Sequence, residues 1–106
     1  MADSYEDAYL DELDLYLHNE GELYPARQAI HHKLQRRAHV RGLDLKLAHQ
    51  DPKLSKLAET LWLEWIGTGV ILYRREIPNS PFRFSKALQR ALAKRITGEM
   101  NLSEEL

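Results

Sequence analysis

The chain has 106 residues, 43% apolar and 29% charged, with a formal net charge of −1 and no cysteine. That is the composition of one globular domain, large enough to bury well over half of its unfolded surface. It excludes a disulfide scaffold, a thiolate metal site and a cysteine nucleophile, and it suits a reducing cytoplasm.

The first predicted element is an acidic helix. Ser4 is placed to cap it, with Asp7 three residues on, and Tyr9, Leu10, Leu13, Tyr16 and Leu17 fall on one face. In YLHNEGELYP, Gly21 suits the left-handed position that ends a helix, and Pro25 suits the first turn of the next. Leu23 and Tyr24 between them are expected to pack the corner of this helix–helix joint.

The second helix is predicted from Pro25 to Arg41, with Ala26, Ile30, Leu34 and Ala38 as its apolar line and Gly42 as its stop. LDLKLAHQDP alternates like a strand over Leu43, Leu45 and Leu47, but no second strand exists to pair with it. A short helical turn or loop is the expectation. Asp51-Pro52 then opens a long central helix over 52–76. Apolar residues nearly encircle positions 61–73, which marks the helix as buried. Gly67 and Gly69 each cost a helix about 1 kcal/mol relative to Ala, so they imply either close approach by a neighbour or a kink.

PNSP at 78–81 reads as a loop, with Phe82 and Phe84 plugging the edge of the core. Ser85 caps a last helix whose stripe is Leu88, Ala91, Leu92 and Ile96, and Gly98 ends it. The fold class is therefore all-α: a compact bundle of four main helices around a long buried central one. It forms a single domain over 1–98, and 99–106 is left as a frayed acidic tail. The apolar run WIGTGVILY is far below the ~18–20 residues that span a membrane, and the N-terminus lacks the positive charge of a secretory signal. The expected location is cytoplasmic.

Charge is split along the chain. Residues 1–24 hold eight acids and no Lys or Arg. All fifteen Lys and Arg lie between Arg27 and Arg95, among five acids, a balance near +10. Arg83, Lys86, Arg90 and Lys94 recur on one face of the last helix. Lys33, Arg36, Arg37 and Arg41 form a second ridge on the second helix. Such ridges serve a solvated or self-neutralised face, an acidic protein partner, or nucleic-acid phosphates.

The remaining chemistry is sparse. His32 and His39 are seven residues apart, a rise of about 10 Å along one helix, too far to share a metal ligated at about 2 Å. The histidines read as a solvated face or as polar contacts to a partner, with His18 and His49 isolated. Glu59 and Glu64 are the only acids near the apolar centre. No nucleophile elbow or phosphate-binding glycine loop is present. No catalytic residue, metal or cofactor is expected, and an enzyme would need a buried ionisable cluster in a pocket. Trp62 and Trp65 face somewhat different ways, so one of them is a candidate anchor for a subunit interface.

Tyr16, Leu17, Asn19, Glu20, Gly21, Glu22, Leu23 and Tyr24, followed by Ile30, Leu34, Gly42 and Asp44, resemble a pattern in small uncharacterised proteins of tailed phages and related mobile elements. This chain differs in Pro25 and in its longer, Trp-containing central segment. The resemblance covers about half the chain and implies an accessory phage protein in the host cytoplasm. Such a protein would bind and inhibit or modulate a host protein or nucleoprotein complex, as anti-CRISPR proteins do. On this reading Lys86, Arg90, Lys94 and Arg83, with Arg36, Arg37, Arg41 and Lys33, carry the contact. The alternative is a small dimeric nucleic-acid-binding regulator.

Overall fold

The computed structural model describes the backbone of residues 2–105 and the side chains of 6–105. It is all-α, with no strand among the described residues. Helix α1 spans Ala2–Asn19, α2 Tyr24–Val40, α3 Pro52–Glu76 and α4 Lys86–Glu99. Single 3-10 turns occupy Gly21–Leu23 and Ala48–Gln50. The molecule measures 46 × 32 × 19 Å, so it is about two helices thick. No described helix is long and apolar enough to cross a membrane.

Local chemistry sets most of the boundaries. Asp51 accepts from the Leu54 amide at 2.9 Å and starts α3, with Pro52 behind it. Ser85 accepts from Leu88 N at 3.1 Å and starts α4. Gly42, with φ of 70°, ends α2: its amide bonds to His39 O and that of Leu43 to Ala38 O, the paired bonds of a Schellman stop.

Three predicted ends are corrected. Ser4 does not cap α1, because the helix already runs through it from Ala2. Gly21 is not left-handed. The break is made by Glu20, whose extended backbone and carboxylate, accepting from Glu22 N, start the 3-10 turn. Gly98 does not stop α4 either; it is helical, and Met100 turns the chain out.

Helix α3 is the centre. It buries Leu54, Ala58, Trp62, Trp65, Ile66, Gly69, Val70 and Tyr73, and α4, α2 and α1 all pack on it. It is continuous through both glycines. A Cβ on Gly69 would collide with Leu17 Cδ2 of α1, so close approach is the reason for this glycine. Gly67 has only Gln89 Oε1 nearby, at 3.9 Å. Leu23 is buried at the joint, where its carbonyl accepts from Trp65 Nε1 at 3.0 Å. Tyr24 instead lies exposed, its hydroxyl bonded to Gln28. Tyr9, Tyr16, Tyr73, Phe82 and Phe84 form an aromatic chain, edge-on except for the stacked Phe82–Phe84 pair, that closes the PNSP loop onto the core.

Two faces differ from expectation. In α2 the buried line is His31, Leu34 and Ala38, while Ala26 is exposed. Both tryptophans are buried, so neither is presented to a second subunit. The segment after α4 is also not frayed. Leu102 is 0% exposed, its amide donates to Leu45 O, and its carbonyl accepts from Gln35 Nε2 at 2.8 Å. Leu102 docks because a buried leucine contributes roughly 1.5–3 kcal/mol, and Gln35 and Leu45 satisfy its backbone.

Candidate functional site

The two basic ridges fare differently. On α4, Lys86, Arg90 and Lys94 are exposed and enter no ion pair among the described residues. Arg83 lies ahead of the helix. Its Nη1 donates to the Ser80 and Phe82 carbonyls at 2.7 and 3.0 Å, so it closes the loop rather than extending the ridge. On α2, Lys33, Arg36 and Arg37 are exposed, but Arg41 pairs with Asp51 at 3.1 Å and clasps the start of α3.

Helix dipoles separate the two sets further. Cations are favourable near a helix C-terminus and unfavourable near its N-terminus. In α2, Arg37 and His39 occupy the last turn, where they stabilise the helix. In α4, Lys86 opens the helix, no acid lies in the first turn and no base in the last. The α4 charges therefore gain little from their own helix.

The acidic α1 packs against α4, but its charges converge on Arg95. Arg95 Nη2 lies 3.0 Å from Asp11 Oδ1 and 4.0 Å from Asp14 Oδ2, and Nε lies 3.7 Å from Glu99. This neutralisation uses a basic residue outside the predicted ridge. Beside the ridge runs a groove of about 230 Å³ between α3 and α4, with Lys56, Glu59, Thr60 and Leu63 on one wall and Arg90, Ala93 and Lys94 on the other. Lys56 was not foreseen. Its place depends on which face of α3 meets α4, and the periodicity of a helix that is apolar nearly all round over 61–73 does not say.

A second concavity gathers ionisable groups that are scattered in sequence. Asp14 and His18 of α1, Arg27 and His31 of α2, and Trp62 and Trp65 of α3 line a cleft of about 240 Å³, closed by Ile96, Glu99 and the 100–104 segment. His18 Nδ1 lies 2.9 Å from Asp14 O and 3.0 Å from Asp14 Oδ1. His18 Nδ1 thus sits between the Asp14 carbonyl and its buried carboxylate oxygen. The His18 imidazole beside it holds the Asp14 carboxyl below its usual range, and Asp14 in turn raises His18.

His31 is only 4% exposed, and its Nε2–H donates to Glu104 O at 2.7 Å. The solvated-face reading thus fails for His31, and His18 is not isolated. The only advance sign was the i, i+4 spacing of Asp14 and His18. The cleft can orient imidazole and hold charge. It has no Ser, Thr, Cys or Lys on its lining to act as a nucleophile.

At the joint, Glu20, Glu22 and Glu76 converge, with all three carboxylates within 4.8 Å of one another. Partial burial together with Glu76 and Glu20 pushes the Tyr16 hydroxyl up to about 12. Desolvation, then Glu20, raises Glu76. The arrangement is acidic crowding at the surface. Compared with known protein families, curated proteins and solved structures, the chain matches none.

Proposed function

We propose that the chain acts by binding: Lys86, Arg90 and Lys94 of α4, with Lys56 across the groove, engage an acidic surface of a macromolecular partner. The observation that carries this reading is the placement of the α4 charges. They are unpaired among the described residues, Lys86 opposes the dipole at the N-terminus, and Arg90 and Lys94 lie short of the last turn where it would favour them, so the dipole gives them no reason to be there. Leu63 and Ala93 in the groove favour a protein partner over a phosphate backbone. They offer apolar contact, and Glu59 beside them repels phosphate. On the resemblance at the joint, that partner belongs to a host complex which this phage-type protein inhibits or modulates.

The test is a capture experiment comparing the wild-type chain with the triple reversal Lys86→Glu, Arg90→Glu, Lys94→Glu. The reversal should abolish partner capture while circular dichroism stays unchanged; equal capture by both proteins would remove α4 from consideration. Titration with random duplex DNA separates the nucleic-acid regulator. A DNA binder loses affinity steeply as salt rises, whereas a protein-directed binder shows negligible DNA binding at physiological salt.

A further inference from the structure

We propose that the outward stripe of α3, with the concave surface beside it, is a two-fold interface on which a second copy of this chain docks antiparallel. Glu64, Thr68, Ile71 and Arg75 are all exposed and recur at i, i+4, i+7 and i+11, the spacing of a helix–helix seam. They lie opposite the face that α3 buries through Trp62, Ile66, Val70 and Tyr73. Single exposed apolar residues are ordinary. Ile71, 60% exposed, is instead bordered by a continuous concavity, in which grooves of about 220 and 380 Å³ meet at Leu23 and Thr68. The larger groove is walled by Ala26, Ala29 and Ile30 of α2 and Leu61 of α3, and most of its surface is apolar. Thr68 already donates its hydroxyl to Glu64 O at 3.2 Å, so covering it strands no donor.

The order of these residues selects the occupant. About a two-fold axis between Thr68 and Ile71, antiparallel copies place Glu64 opposite Arg75 and Thr68 opposite Ile71, and symmetry repeats each pair. Neither Glu64 nor Arg75 forms an ion pair within the chain among the described residues. The projecting Ile71 of one copy meets the groove at Thr68 of the other, and the small Ala26 and Ala29 beside it leave room for a second helix. Parallel copies would set Glu64 against Glu64 and Arg75 against Arg75. Sliding the antiparallel pair by one heptad would set Arg75 against Leu57 or Ile71. Only the centred register pairs opposite charges, and charge complementarity of this kind fixes partner and orientation. The interface shares no residue with the basic groove between α3 and α4, so it holds or fails apart from the macromolecular reading.

Sedimentation equilibrium of the intact chain over the micromolar range measures the association, and the wild type should populate a dimer. Glu64→Arg and Arg75→Glu each turn two attractive pairs into two repulsive ones, and each should weaken the dimer about tenfold or more. The double reversal, Glu64→Arg with Arg75→Glu, restores both pairs and should return the affinity to within a few-fold of wild type. Mixing the two single variants should give a heterodimer tighter than either homodimer. Ile71→Lys removes the apolar knob and should leave a monomer at the same concentrations. All three positions are exposed, so circular dichroism should show helicity retained in every variant. A wild-type chain that is monomeric throughout would overturn the proposal, as would a dimer indifferent to Ile71→Lys, or a double reversal no tighter than the single ones.

Discussion

At the scale of single residues, the two glycines of α3 make opposite predictions. A methyl group on Gly69 meets Leu17, which is itself buried and has no room to retreat. Overpacking of this kind costs about 1–3 kcal/mol, against a gain of about 1 kcal/mol in helix propensity. Gly69→Ala should therefore destabilise by up to about 2 kcal/mol in urea denaturation. Gly67→Ala meets only Gln89 Oε1, at an ordinary contact distance of 3.9 Å, and should stabilise by about 0.5–1 kcal/mol. The Asp14–His18 pair gives a pH prediction. The lowered Asp14 contributes stability above its unfolded value near 4, lost as pH falls through the folded one. The raised His18 contributes fully below about 6.5, and that part is lost as pH rises through its folded value. The pair is thus most stabilising between about pH 4 and 6.5. His18 is 43% exposed, so screening holds the effect below about 1 kcal/mol. His18→Gln should lower the Tm by a few degrees at pH 5.5 and by less at pH 9.

At the scale of elements, the sequence is most legible where a boundary has its own chemistry. Asp51-Pro52, Ser85 and Gly42 each bear out the predicted end, because cap and stop geometry are local properties. It is least legible where tertiary contact decides. No periodicity in α2 says that His31 rather than Ala26 turns inward, since that follows from the docking of Glu104 and Leu102. Two element-level predictions follow from the same logic. Lys86→Glu puts an acid at the N-terminus of α4 and should stabilise the protein by about 0.3–1 kcal/mol while impairing partner capture; thermal melts and capture assays read the two effects separately. Leu102→Ala should cost about 2–5 kcal/mol in denaturant unfolding, the signature of a packed strap. A loose tail would show no change.

At the scale of the molecule, the four-helix architecture was readable because the apolar stripes are long and the punctuation is strong. The candidate sites were half readable. The ridge on α4 is visible as spacing in one helix, and its three exposed members lie where the spacing puts them. Lys56 and the mixed-charge cleft are assembled from different helices, so only the packing of α1, α2 and α4 on α3 brings them together. The charge split along the chain has the same character. Its acidic half meets its basic half through Arg95, which lies outside the stripe that the spacing selects.

The 19 Å thickness carries a last consequence. In a plate two helices deep, even the central helix reaches the outside, and Ile71 of α3 is 60% exposed. Bulk water is then about one helix diameter from every core atom. Lifting a single helix is enough to wet the interior, so amide protons should exchange through openings of one element at a time, without waiting for the whole chain to unravel.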